Sequence, residues 1–405
     1  MSSTRNTPFF FFLFFTVLIP VFPYVFTFLP SQIGGFNWTG IAWITMLIVT
    51  ALYIPNLRRL SFPIWSWLPW MVYLTGALAV DYSFLGLQLS LQYLLPLLIG
   101  IVSSTMTYSE VDLRKLFKGL IQLCSFIILL FTYGYLFRNG NTATAATTPM
   151  ILSLGVSVLL GIYFLTKELK YLFYFVIFFL PSIIDVTRMG ILAFVALFVF
   201  HFANRSIVNK IGFGLIGLLL GIVVFNTEGF QKKTFGENRG QLDDISINYY
   251  ENDRFNNNGR NTWKLALEPG LEAAPIWGNG PRADYKQIMD ISDQKMREAH
   301  NDYLSVRYNY GYVGLACLLF GFGATFLLLY RGIRNTDKAI VSLLATSTLT
   351  LFIPFWLFMY SDNILKYTIY FPDLFFAMVG IVFSIRKNGL REDEEFNPST
   401  VVKHR

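Results

Sequence analysis

Charged side chains are scarce in this chain. Lys, Arg, Asp and Glu make up 14% of its 405 residues, against about 25% in a soluble globular domain. Too few remain to cover a water-facing surface, so lipid must cover much of it. Cysteine is rarer still: Cys124 and Cys317 both lie in apolar runs, which leaves neither a disulfide framework nor a cysteine metal site. There is no zinc spacing, no Walker loop, no dinucleotide fingerprint and no internal repeat. Neither a metal nor another cofactor is therefore expected. What the chain has instead is 54% hydrophobic residues, 41 of its residues being phenylalanine, and a mean hydropathy of +0.50. Its net charge of +7 is spread over many short loops rather than gathered in a patch. That pattern orients membrane helices and does not suggest nucleic acid.

Apolar runs that read as membrane spans, the seventh and eighth of them short, are expected at Pro8–Leu29, Phe36–Ile54, Ile64–Val80, Leu85–Met106, Leu120–Phe137, Met150–Leu165, Tyr171–Ile184, Ile191–Phe202, Ile211–Phe225, Gly311–Tyr330, Ala339–Met359 and Thr368–Phe383. The first run follows Arg5 as a signal peptide would, but it is too long and aromatic and lacks a small-residue cleavage site, so it reads as a retained span. The fold class is thus an all-α integral membrane protein of about twelve transmembrane helices. With the N-terminus in the cytoplasm, the inner loops carry Arg58 and Arg59, Arg114, Lys115 and Lys118, Lys167 and Lys170, Arg205 and Lys210, and Arg331, Arg334 and Lys338. The short outer loops carry only Arg138, Arg188 and Lys366. This asymmetry follows the positive-inside rule and returns the C-terminus to the cytoplasm.

One outer segment differs. Residues 226–307 hold eleven Lys and Arg and thirteen Asp and Glu. Loops this long escape the charge rule and are usually functional. Thr262–Leu271 reads as a short helix, Trp277–Pro281 as a turn, and a second helical stretch starts near Asp284. The apolar residues Trp263, Leu265, Leu267, Ile276, Trp277 and Tyr285 argue for a packed cap. The chain therefore divides into nine spans over 1–225, a periplasmic cap over 226–307, three spans over 308–385 and a cytoplasmic tail over 386–405.

Three residues on the outer face stand out. Arg188 sits in the tight turn Asp185-Val-Thr-Arg-Met-Gly190 between two short spans, where an ionisable group raises a functional hypothesis; an ion pair with Asp185 is the plainer reading. Arg260 follows an Asn- and Gly-rich turn and would otherwise be a solvated loop arginine. His300, in Glu298-Ala-His-Asn-Asp-Tyr-Leu-Ser-Val-Arg307, is the one histidine of three on this face, and a helix there would align it with Leu304 and Arg307. Arginine's planar fork suits phosphate oxygens, and imidazole suits removal of a proton from a sugar hydroxyl. The set fits glycosyl transfer from a lipid diphosphate.

Four stretches resemble the signatures of the O-antigen ligase and O-antigen or exopolysaccharide polymerase superfamily. They are Thr187-Arg-Met-Gly190, Gly259-Arg-Asn-Thr-Trp263, Trp277-Gly-Asn-Gly280, and His300-Asn-Asp-Tyr-Leu304 followed by Tyr310-Gly-Tyr-Val-Gly314. Met189 stands where the family has a small residue, and Trp263 lies three rather than four residues after Arg260. The resemblance implies a GT-C-like bundle in the bacterial inner membrane with a large periplasmic loop before the tenth helix. It also implies catalysis without metal and a glycan donor on undecaprenyl diphosphate. Arg188 and Arg260 would contact the diphosphate and His300 the acceptor hydroxyl. Asn301 would orient His300, while Asp302 and Tyr303 would line the pocket beside Arg307. Asp185 and Asp362 are alternative carboxylate bases and substrate contacts. The acceptor would be a second lipid-linked glycan in a polymerase, the reading favoured by the His-Asn-Asp-Tyr-Leu spelling, or lipid A-core in a ligase. A chain-length regulator is a further partner, besides membrane lipid. A glycan transporter is the reading from another class, but it would place charges and broken helices at mid-membrane, where these spans have almost none.

Overall fold

Hydrocarbon offers no partner to a backbone N–H or C=O group, so a membrane-spanning chain must satisfy them within helices or a closed barrel, and long continuous apolar runs select helices. The structure is a computed structural model that describes residues 3–53, 57–138, 147–202, 215, 219, 221, 222, 225–235, 260–291, 298–333 and 338–391. Most of these are helical. The helices are α1 (Ser3–Leu18), α2 (Phe22–Val25), α3 (Trp38–Leu52), α4 (Ile64–Val80), α5 (Phe84–Thr105), α6 (Glu110–Phe137), α7 (Thr148–Thr166), α8 (Leu169–Ile184) and α9 (Arg188–Phe202). There follow α10 (Glu228–Phe235), α11 (Arg260–Ala273), α12 (Ala283–Ile291), α13 (Asp302–Ile333), α14 (Ala339–Thr350), α15 (Phe352–Ser361) and α16 (Pro372–Asn388). Among the described residues the only strands form a two-stranded hairpin, Gln32–Ile33 with Phe36–Asn37.

Among the described residues, six helical segments are long and apolar enough to cross a membrane: Pro8–Val25, Phe84–Thr105, Glu110–Phe137, Thr148–Thr166, Asp302–Gly332 and Ala339–Ser361. Four shorter apolar helices accompany them. The chain is a multi-pass helical membrane protein. The expected ninth span, Ile211–Phe225, lies almost wholly outside the described residues. Two expected boundaries shift. The fifth span begins ten residues earlier, because Ser109 and Asp112 form a capping box that starts α6 at Glu110. Arg114, Lys115 and Lys118 are therefore carried on helix rather than on loop. The tenth begins at Asp302, with a break at Gly311.

Lipid tails are as apolar as leucine, so small residues and polar contacts between helices decide how they pack. A Cβ on Gly380 of α16 would lie 2.3 Å from the Gly100 carbonyl oxygen of α5, which shows how closely those backbones approach. Ser157 of α7 and Ser347 of α14 exchange hydrogen bonds, each hydroxyl donating to the other's carbonyl, at 2.8 and 3.1 Å. Trp67 of α4 donates its indole N–H to Thr325 of α13 at 2.9 Å.

These contacts also fix which helix ends lie together. At one end Asn6 donates to the Thr107 carbonyl and to Asp112, at 2.7 and 3.2 Å. Arg391 approaches the same Asp112 oxygen at 3.6 Å, and Lys387 donates to the Leu60 carbonyl at 2.7 Å. Residues 6 and 391 thus lie at the same end. At the other end the α4–α5 turn meets the cap, where a Cβ on Gly86 would touch Pro281.

Candidate active site

The cap is locked to the bundle by two glycine turns. Gly278 and Gly280 have φ of +81° and +97°, and Gly311, inside α13, has φ +64°. Breaking the helix at Gly311 strips carbonyls of their usual partners four residues on. The turn supplies new ones: Asn279 N donates to Tyr308 O at 2.9 Å and Gly280 N to Asn309 O at 3.0 Å. The displaced amides turn the other way, Tyr312 N to Pro275 O at 2.9 Å and Val313 N to Ile276 O at 3.1 Å. Tyr73 of α4 closes the junction, its hydroxyl placed 2.8 Å from Trp277 O and 3.0 Å from Tyr310 O. A Cβ at Gly311 would sit 2.2 Å from the Ile276 oxygen, and one at Gly278 would sit 2.4 Å from that of Asn309. The Trp277–Gly280 and Tyr310–Gly314 motifs are thus two halves of one joint.

On the N-terminal side of that joint α13 starts at Asp302, and His300 lies just before it. His300 is therefore not on the helix, and the expected face shared with Leu304 and Arg307 does not form. Asn301 caps the helix, accepting from Leu304 N at 3.0 Å, rather than holding the histidine. His300 is held by Asp362, with Nδ1 3.0 Å from Oδ1. Asp362 lies just past α15, and its own position is fixed by Asn363 N, which donates to the same oxygen at 2.8 Å. Trp263 of α11 covers the ring, with centroids 5.1 Å apart. The side chain of His300 is 46% exposed and that of Asp362 17%. A carboxylate on Nδ1 fixes the tautomer that leaves Nε2 as acceptor, the arrangement a general base needs.

Behind the histidine lies an ion network that the sequence does not announce. Lys366, expected as a short-loop charge, is enclosed to 3% exposure and bonds Asp284 of α12 at 3.3 Å, that carboxylate being 1% exposed. Glu298 lies 3.9 Å from the same ammonium and pairs with Arg282. Asn309 Nδ2 donates to Asp284 at 2.9 Å, Asp284 N donates back to Asn309 Oδ1 at 2.9 Å, and the Ser305 hydroxyl also donates to Asp284. Burial disfavours the charge on Asp284, but Lys366, Arg282 and these hydrogen bonds outweigh it and hold the carboxyl below its ordinary range. The one signal in the sequence is a lysine set among apolar residues, Ile364-Leu-Lys-Tyr-Thr-Ile369.

The register of the helices gathers the remaining candidates. Gly190 of α9 abuts Pro149, at the start of α7, and Ser182, near the end of α8. The α7–α14 pairing sets Ser157 against Ser347 and Gly161 beside Leu343, so α7 and α14 run antiparallel. Arg188 consequently starts α9 at the end of the bundle where α15 delivers Asp362. Its turn is strained: Val186 has φ +48°, rare for a β-branched residue. Asp185 caps α8 there. Arg260 is the first residue of α11, one turn before Trp263, and its side chain lies outside what the structure describes. Asp302 is fully buried and accepts from Leu365 N at 3.0 Å. It ties α13 to the loop bearing Asp362 and does not line an open pocket. Tyr303 donates to Trp356 O at 3.3 Å, and the Arg307 guanidinium lies over Tyr312, 4.6 Å from the ring centre.

No curated relative matches the chain. Residues 173–319, from α8 to the middle of α13, match the family Wzy_C, described as O-antigen ligase. The matched stretch takes in Arg188, Arg260 and His300 but ends before Asp362. The resemblance read from the four motifs therefore holds: over the segment that carries those three residues, this membrane protein matches the O-antigen ligase family.

Proposed function

We propose that the chain is a glycosyltransferase acting at the periplasmic face of the inner membrane, where it polymerises glycan repeat units carried on undecaprenyl diphosphate. The observation that carries this reading is the His300–Asp362 pair under Trp263, on the end of the bundle where Arg188 and α11 also begin. Nε2 of His300 takes the proton of the acceptor hydroxyl as that oxygen bonds the donor's anomeric carbon. The bond from that carbon to the diphosphate breaks, and its electron pair leaves with the lipid diphosphate. Arg188 and Arg260 balance the charge on that leaving group through bidentate hydrogen bonds. A metal is not needed, because guanidinium groups do the work that a cation would do. Twelve crossings in a GT-C-like arrangement, with both termini cytoplasmic and the cap in the periplasm of the inner membrane, complete the picture. The meeting of residues 6 and 391 at one end supports an even number of crossings.

The family description favours a second reading, the ligase, in which lipid A-core accepts the glycan. Purified protein in nanodiscs, given undecaprenyl-diphosphate repeat units and a chelator, with and without lipid A-core, separates the two. A ladder of lengthening lipid-linked glycan without lipid A-core is expected. Product only with lipid A-core establishes the ligase, and none in either case refutes glycosyl transfer by this chain alone.

A further inference from the structure

A cavity of about 170 Å³ lies beside the ion network, between the start of α3, the start of α5 and the cap. It shares a wall with the candidate active site. Glu298 lines it two residues before His300 and accepts from Asn363 Nδ2 at 3.4 Å, next to Asp362. The volume matches five or six waters at ~30 Å³ each and is well under the roughly 300 Å³ where pockets for drug-sized ligands begin. It has room for one sugar ring and not for a lipid diphosphate.

The lining states the chemistry. Asn37, Thr39, Gln88 and Gln92 offer neutral groups that donate and accept, as sugar hydroxyls do, and Trp43 and Tyr367 offer flat faces. Among the described residues the Gln88 and Gln92 amides make no hydrogen bond of their own. The charges present are already matched, Arg282 with Glu298 and Lys366 with Asp284, so an anion finds no uncompensated countercharge, while Arg282 Nη1, buried without a hydrogen-bond partner among the described residues, is left to donate to a neutral oxygen. Arg282 is held on the cavity wall with φ +70°, a conformation that costs a non-glycine residue stability, and its pairing with Glu298 offsets that cost. We infer that this cavity is a subsite for a single uncharged sugar residue of the acceptor glycan, seated so that the next hydroxyl along the chain reaches His300. The inference rests on the transfer reading above. It adds that Gln88, Gln92 and Trp43 select the acceptor.

Binding can be read without activity. Saturation-transfer NMR on the protein in nanodiscs, with glucose, galactose, N-acetylglucosamine and glucuronic acid as probes, should show contact with at least one neutral sugar and none with glucuronic acid. Gln92→Leu and Gln88→Ala should each weaken that contact and raise the acceptor KM about five- to tenfold, the loss of one or two neutral hydrogen bonds. Stronger signal from glucuronic acid than from every neutral sugar overturns the proposal, as does unchanged neutral-sugar contact in both variants. If the wild type binds a neutral sugar but transfers nothing, the transfer reading fails while the sugar site stands. If it transfers with both variants unaffected in KM, the subsite fails while the transfer reading stands.

Discussion

Replacing Lys366 by methionine tests the ion network most directly, because the unbranched side chain is kept to within one atom while the ammonium is lost with its charge and its N–H donors. At 3.3 Å from Asp284 and an effective dielectric of about 20, the pair attracts by roughly 5 kcal/mol. Desolvation of two enclosed ions offsets much of this in the wild type, so the net worth of the pair is small. Losing one partner is different, since Asp284 stays buried with only Arg282 and its hydrogen bonds to hold its charge, at a cost approaching the roughly 3–5 kcal/mol of a broken buried pair. Asp284 belongs to α12, so the cost falls on the docking of the cap. Amide hydrogen exchange in nanodiscs reads it locally. Exchange over residues 283–291 should quicken by roughly 10² to several thousandfold, at about tenfold per 1.4 kcal/mol. The double variant Lys366→Met with Asp284→Asn removes both charges and should recover at least half of the lost protection in free energy. An acceleration below tenfold, or a double variant as exposed as the single, refutes the claim that this pairing holds the cap.

The remaining expectations concern chemistry and strain. His300→Ala should lower kcat by about 10²- to 10⁴-fold at matched expression, and Asp362→Asn should lower it less, since an amide can still hold the ring. Arg188→Ala and Arg260→Ala should abolish transfer, with Arg260→Lys a poor substitute because a point charge replaces a fork; normal turnover in all of these variants would end the mechanism. Gly311→Ala forces a Cβ against the Ile276 carbonyl 2.2 Å away and should expose residues 275–281 to limited proteolysis, whereas Gly323→Ala, with open space around it, should not. Asp284 titrates below its ordinary value of 3.8 in the folded protein. The stability it confers is therefore complete above that value and is lost as pH falls through the lower folded value. Exchange protection of α12, corrected for intrinsic rates, should hold from pH 8 to 5 and fall only in stronger acid.

Hydropathy, loop charge and turn residues are properties of contiguous chain, and they were enough to reveal the helical membrane class, the cap helix near Thr262–Leu271, the Trp277–Pro281 turn and the family motifs. The same local reading misplaced the start of α13, because a helix assumed through His300 takes no account of the Asn301 cap. It also left His300 without its partner, since Asp362 lies 62 residues away. Lys366 and Asp284 are separated by 82 residues, and nothing in either neighbourhood marks them as a pair. Gly278 and Gly311 read as two signatures until the fold shows their backbones in contact. The sequence by itself determined which segments leave water for the membrane. Only the tertiary structure decided which charges neutralise one another and what orients the histidine, because burial and distance between remote segments are set by how the cap docks on the bundle.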